Sequence, residues 1–549
     1  MATADSAGDK YGGDHRIPRD AHLVNRFSIW NVQTGLFPTG NKQATSSTAS
    51  EARSESAIAI NPLNPSNMVG ASKKFIDPSI YLFKLGPIYT FDAGVSWHES
   101  TLPMHAEWDG MTDPTVAFDA FGNAFLVGEP LTFDMAQAHT PRDITGHGMY
   151  VYRSSDGGKT WSQPTPLTTD TTDDKQWVIC DNNPGSPHYG NVYVVWSAWS
   201  PLRFARSTDH GATWRGKGQD SPGTSLVSLA FAPELSVSPD GALHILWHTD
   251  GGTTVQYLRS TDGGETFSQV RTVVQGVASL RGNLPITNGW PHFDYGKFRV
   301  VTLATSCVGA GDVLVVAWAD MREGRSRIYY RRSTDGGTTW EGPASGRTLL
   351  PQVTYGDTHC FHPQIVATGT GVIGCAFYTF GPKQGGTHLI DVQLAASWDD
   401  GASFPWFITV TDHPWDPLLD APKSHGDPAV DFIGEYFGLD ADEEDFALLW
   451  TDTRTGVQEL FSDVVRTKRI TSPHIPELVG EILFGITQDG GGVIIVGGKI
   501  IRVPPREPLI AALEALADLD EASEEETAVK RNEAAAALRA AAEAIAERE

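Results

Sequence analysis

The chain lacks the signatures of the commonest enzyme chemistries. It has no GxxxxGK[ST] phosphate loop, no HExxH pair and no GxSxG turn, so P-loop phosphoryl transfer, zincin proteolysis and the α/β-hydrolase arrangement drop out. Its four cysteines, Cys180, Cys307, Cys360 and Cys375, are scattered without CxxC spacing. They read as buried thiols, not as a disulfide framework or a zinc ribbon, and leave the compartment open. No run reaches the roughly eighteen apolar residues that a membrane-spanning helix needs. The N-terminal segment is polar and carries no apolar stretch of signal-peptide type. Positive charge is scarce as well: 41 Lys and Arg stand against 67 Asp and Glu, a formal net of −26. Without a basic surface, nucleic acid is excluded as a partner, although a local basic pocket for a small anion is compatible with the count.

Two fragments imitate known sites and carry nothing. GTGVIG at 369–374 matches GxGxxG by letters, but it lies between two strands with no helix following, and so reads as a hairpin turn. His359 and His362 flank Cys360 in THCFH with no further ligand set in sight, so no metal is assigned. No cofactor is expected, and the acidity leaves room only for incidental calcium on loop carboxylates.

What the chain does have is Gly, Pro and Trp, at 56, 34 and 16 residues. That composition favours short strands joined by tight turns. One motif then recurs six times: TFDAGVSW (90–97), SSDGGKTW (154–161), STDHGATW (207–214), STDGGETF (260–267), STDGGTTW (333–340) and SWDDGASF (397–404). Its Asp recurs at intervals of 53 to 73 residues, the length of one four-stranded unit with variable loops. The Asp carboxylate and the Ser/Thr hydroxyl can accept bonds from turn amides, Gly allows positive φ, and the aromatic can pack between strands. These Asp residues therefore read as structural.

The flanks repeat too. An apolar strand ending in Trp precedes a turn and an alternating strand that runs into the box, as in VLVVAWAD (313–320) followed by RIYYRRS (327–333). First strands are expected at 56–62, 114–119, 177–182, 233–239, 298–305, 362–369 and 436–442. The seventh unit, with DFALLWTD (445–452) and LFSDVV (460–465), has no box. The expected fold is all-β: a β-propeller with Asp-box blades, seven favoured over six, followed by a β-hairpin and a helical tail. The divisions are 1–50, an N-terminal segment that supplies a closing strand near HLVNRFSIW (22–30); 51–469, the propeller; 470–506, a hairpin around GGGVIIVGGKIIRVPP (490–505); and 507–549, an acidic Ala-rich helical tail suited to loose self-association.

If the box joins strands three and four, the turns between strands two and three lie on the opposite face, together with the links between units. Asp113, Asp174, Lys175, Glu234, His248, His362, Glu435 and Tyr436 are assigned there, with Arg53, Arg322 and Arg454. The last two occupy equivalent Trp-x-Asp-x-Arg turns, WADMR (318–322) and WTDTR (450–454). Such an Arg either braces its turn against the Asp or points inward to a carboxylate ligand.

The boxes, with SAIAINPLNPSNMVGAS and WADMREGRSRIYYRRSTDGGTTW, resemble the Asp-box (BNR) repeat proteins of the sialidase superfamily over residues 50–465. The resemblance implies an exo-glycosidase acting on a terminal acidic sugar of a glycan or glycoconjugate. It also implies a secreted or cell-surface setting. It would make Tyr436 the nucleophile, Glu435 or Glu234 its helper and Asp113 the acid, with Arg53, Arg322 and Arg454 as the arginine triad. HRIP (15–18) matches the family's Arg-Ile-Pro letters but lies about forty residues ahead of the first strand. Sialidases depart from the two-carboxylate rule by using Tyr, which a substrate carboxylate does not repel. The other open reading is a non-catalytic propeller that binds glycan or protein and uses its C-terminal module for assembly.

Overall fold

The computed structural model describes residues 21–28, 35–78, 81–133, 144–197, 201–350, 355–383, 386–426, 429–468, 481–487, 492–496 and 499–503. The helical tail expected over 507–549 and the HRIP stretch lie outside the described residues.

The apolar, Trp-tipped strands form antiparallel sheets throughout. Among the described residues, seven of the sheets follow one another in the order of the chain, and their innermost strands are Arg53–Ile60, Gly110–Phe118, Asp174–Cys180, Phe231–Val237, Ala304–Val308, His359–Ala367 and Gly438–Ala441. Each packs against the innermost strand of the next sheet, and the seventh packs against the first, so the seven strands encircle a common axis. The second strands are apolar because both faces are covered by neighbouring sheets. Their Trp196, Trp247, Trp318 and Trp450 are fully buried, each contributing on the order of 2–3 kcal/mol by apolar burial.

All six boxed turns join the third and fourth strands of their sheets. In the fourth, Asp262 accepts bonds from the Ser260 hydroxyl (2.8 Å), the Thr266 amide (2.9 Å) and the Thr266 hydroxyl (2.5 Å). The Gly264 amide donates to Ser260 at 2.9 Å, with Gly264 at φ +87°. The box aromatics tie one sheet to the previous one: Trp161 donates to Ser100 at 3.0 Å, and Trp97 to Ser462 of the seventh sheet at 3.0 Å.

The seventh sheet is built from both ends of the ring. Asp445–Asp452 and Glu459–Lys468 follow its inner strand, and the outer positions are filled by Gly35–Pro38 and Lys42–Gln43. The expected closing strand near 22–30 is displaced. Ala21–Ser28 pairs instead with Glu481–Thr487, in a separate sheet completed by the hairpin Gly492–Val496 and Lys499–Val503. Asp463 is what anchors the true closing segment, accepting from the Thr39 amide (2.9 Å), the Thr39 hydroxyl (3.0 Å) and Asn41 (2.8 Å).

A second correction concerns 298–305, read from its alternation as an inner strand. The inner strand there is Ala304–Val308. The preceding residues form a small sheet, Ile286–Thr287, Trp290–Phe293 and Gly296–Arg299. The Arg299 amide is held by the Asp431 carbonyl at 2.9 Å, which draws this stretch toward the link between the sixth and seventh sheets.

Candidate functional site

The entrances to the inner strands share one device. In six of the seven sheets a residue at this point has positive φ: Glu55 (53°), Asp113 (55°), Lys175 (41°), Ala232 (47°), His362 (47°) and Gly434 (95°). In five of them the pairing with the second strand slips at that place, between Ser54 and Ala57, Thr112 and Thr115, Asp174 and Gln176, Phe231 and Glu234, and Phe361 and Gln364. Bulges re-aim side chains, and a non-glycine residue at positive φ costs on the order of 1–3 kcal/mol. Four of these six residues, Glu55, Asp113, Lys175 and His362, carry polar side chains that are buried.

The charges that gather there are buried. Lys73, on the second strand of the first sheet, lies 2.5 Å from Glu55 and 3.0 Å from Asp113. One ammonium between two carboxyls favours one anion and one acid. Burial opposes the charge of Asp113, but Lys73, Lys175 and the Thr112 hydroxyl outweigh it and hold its pKa below the ordinary carboxylate value. Glu55 is the deeper group; burial dominates over Lys73 and pushes it up to about 8. Glu234 is raised to about 8 by burial, against bonds from the Ser306 amide (2.7 Å) and the Thr305 hydroxyl (2.8 Å). Asp174 is raised to about 7 by burial and by the neighbouring Asp113 charge. Burial and the nearby aspartates also raise Glu129.

Arg299 arrives from the small extra sheet. It pairs with Glu435 at 2.8 Å and donates to His425 Nε2 at 2.9 Å. His425 is stacked between Trp290 (4.7 Å) and Tyr81 (4.8 Å), and burial, with Arg299 and Lys73 nearby, lowers its pKa to about 2. That ring is therefore neutral and accepts a hydrogen bond from the guanidinium. Tyr436 is 4% exposed, and the Lys175 ammonium lies 3.4 Å from its ring centroid. The Tyr436 hydroxyl, the Lys175 ammonium and both ring nitrogens of His362 have no hydrogen-bond partner among the described residues. Buried polar groups are normally satisfied, so this cluster has the character of a ligand site.

The structure sorts the expected site residues into two groups. Asp113, Glu234, Glu435 and Tyr436 come together around the axis, since each of the first three acts electrostatically on Lys175, which lies against Tyr436. The three arginines do not converge. Arg322 is paired with Asp320 and donates to the Ser345 carbonyl at 2.8 Å. Arg454 is held by Asp452 at 2.6 Å, by Asp412 and by Asn41 at 3.2 Å. Both brace their own Trp-x-Asp-x-Arg turns, which the short spacing makes the nearer solution. Arg53 is fully buried against Glu99 of its own sheet, with Ser47 at 3.2 Å. Two role assignments also change: Asp113 is held ionised and is a poor proton donor, while Glu435 is occupied by Arg299. THCFH is dispersed as well, with His359 receiving the Ser326 amide at 3.2 Å and packing on Phe293. Among the described residues no group of three His, Cys, Asp or Glu could hold a metal.

The sequence reading missed Glu55, Lys73 and Arg299. The adjacent lysines in the strand MVGASKKFID were a usable signal for Lys73, because neighbours on a strand face opposite ways and an ammonium is buried only when paired. Arg299 carried no such signal, since its partner lies more than a hundred residues away in sequence.

No protein-family model matches the chain. A sialidase from Micromonospora viridifaciens is 31% identical over 300 residues, covering 48% of this chain and 43% of that protein. Xyloglucanase Xgh74A from Acetivibrio thermocellus is 29% identical over 195 residues, covering 30% of this chain and 21% of that protein. The chain thus spans less than half the length of the curated relatives it matches. Among solved structures, a Trypanosoma rangeli sialidase aligns with TM-score 0.37 at 11% identity, covering 88% of this chain and 85% of that one. A protein of unknown function from Dyadobacter fermentans aligns with TM-score 0.43 at 12% identity, covering 79% of this chain and 100% of that one. Over about half of its length the chain is thus similar in sequence to a sialidase.

Proposed function

We propose that the protein is a glycoside hydrolase that removes a terminal acidic sugar at this axial centre, with the seven sheets as the blades of a seven-bladed propeller. The observation that carries the reading is the division among buried carboxyls on one face. Asp113 is kept ionised, while Glu234 and Glu55 hold their protons to about pH 8. Groups whose environments push their pKa values apart are the usual acid and base of such a site. Glu234 then protonates the leaving oxygen, and Asp113 stabilises the developing positive charge on the sugar. Tyr436 stands as the nucleophile by analogy with sialidases. Burial, with Glu55 and Asp113 nearby, raises its pKa; the ionised Asp113 takes its proton as the tyrosine oxygen bonds the anomeric carbon, and water deprotonated by Glu234 then releases the sugar while that proton returns to Tyr436.

A fluorogenic sialoside, tested beside neutral arabinoside and xyloside substrates from pH 5 to 8, checks this. Release from the sialoside is expected to fall at least about 100-fold in Asp113→Asn and Tyr436→Phe, with melting temperatures recorded alongside. Arg322→Ala and Arg454→Ala should hydrolyse it at the unmodified rate. Undiminished release in both axial variants would move the chemistry elsewhere. No release from any glycoside would favour the non-catalytic glycan-binding propeller, a reading supported by the local partners that occupy Arg53, Arg322 and Arg454.

A further inference from the structure

The axial cations are not equivalent. Lys73 has Asp113 and Glu55, and Arg299 has Glu435, all within 3.0 Å. Lys175 has no carboxylate within ion-pair distance and no hydrogen-bond partner among the described residues, although it is only 8% exposed. It is held by a bulge at φ 41°, with its ammonium 3.4 Å from the Tyr436 ring centroid and 6.0 Å from that of Trp177. An aromatic face offsets part of a cation's lost hydration but supplies no acceptor for its three N–H groups. A buried ammonium in that state is costly unless an anion or water completes it.

We propose that Lys175 is the group that reads the substrate's negative charge, pairing with a single carboxylate of an acidic sugar seated over Tyr436. It would do alone the work for which three converging arginines were expected. The inference rests on the reading of the axial centre as a glycan site and goes beyond it by naming the specificity residue. Charge balance favours one anion. Asp113 is matched by Lys73 and Glu435 by Arg299, and the other carboxyls that act on Lys175, Glu55 and Glu234, hold protons to about pH 8. Burial lowers the pKa of Lys175, with Asp113, Glu55, Glu435 and Glu234 opposing. A bound carboxylate therefore completes the ion pair without displacing an existing one. The Tyr436 hydroxyl and the His362 ring nitrogens, also without a hydrogen-bond partner among the described residues, would meet sugar hydroxyls in the same region.

The test is binding rather than turnover, so that it stands apart from the hydrolase reading. Sialic acid, glucuronic acid, galacturonic acid and their uncharged methyl esters are titrated into the full-length protein by calorimetry. At least one acid should bind, and its methyl ester about tenfold or more weaker, as expected when a charge-assisted contact is lost. Lys175→Met should weaken the acid at least about tenfold and leave the ester within about twofold, whereas Lys175→Arg should retain preference for the acid. Acid and ester binding alike, an acid affinity unchanged in Lys175→Met, or no acid bound at all by the unmodified protein would each overturn the assignment. If the acid binds through Lys175 but no glycoside is cleaved, the inference holds and the hydrolase reading fails.

Discussion

At the scale of single residues, the axial carboxyls turn burial into pH dependence. Glu234 has an ordinary value of 4.5 and is held at about 8 in the fold. A carboxyl raised by folding lends stability that is present in full below pH 4.5 and is lost as pH climbs through about 8, at roughly 1.4 kcal/mol per pH unit. Glu55 acts in the same direction. Asp113 acts oppositely, and its contribution is lost only in acid. The melting temperature of the unmodified protein should therefore decline between pH 5 and 8. Glu234→Gln, which keeps the shape and removes the proton, should flatten that decline in scanning calorimetry. An unaltered slope would mean that Glu234 does not hold the proton.

The boxed sheet is the unit that connects residues to the site, and its two ends do different work. At one end lies the box turn between its third and fourth strands, a closed set of hydrogen bonds in which the carboxylate is held below its ordinary value. At Asp262, slight burial opposes this, and bonds from Thr266 and Ser260 prevail. At the other end lies the positive-φ entrance. In the seventh sheet that position is Gly434, where a Cβ would stand 2.6 Å from the Glu55 amide nitrogen. Gly434→Ala is expected to cost about 2 kcal/mol or more, from positive φ and overpacking together, and to lower glycoside release by displacing Glu55 and Tyr436. Asp262→Ala should cost a similar amount by losing its turn bonds, yet leave the Michaelis constant unaltered. Denaturant unfolding and steady-state kinetics on the same preparations separate the two. Equal kinetic effects would show that the ends are not independent.

The whole molecule depends on closing a ring of sheets that no continuous strand ladder joins. Closure falls on the seventh sheet, where the N-terminal segment adds the outer strands and Trp97 of the first sheet reaches Ser462. Asp463 carries three bonds to Thr39 and Asn41. Asp463→Ala should lose about 3 kcal/mol, since bonds to a charged acceptor are worth roughly 1.5–3 kcal/mol each and are partly replaced by water. Limited proteolysis should then cut within residues 35–45 before the rest of the chain is digested. Protection equal to that of the unmodified protein would place closure on other contacts.

Local sequence determined the turns, the strands and the face on which the buried charges gather. Each box encloses its bonds within eight residues, and strand alternation needs no distant partner, so both can be read from the chain in order. Asp113, Glu234, Glu435 and Tyr436 were legible for the same reason: their place at the start of an inner strand follows from counting strands. Only the tertiary structure decided which charges meet. Arg322 and Arg454 each had an Asp two residues away as partner, whereas Lys73 and Arg299 find theirs across sheets. Closure was decided there too: Gly35–Pro38, not 22–30, joins the seventh sheet, and Asp463, more than four hundred residues distant, holds Thr39 just beyond it. Pairing across such separations is set by packing around the axis, and no local pattern encodes it.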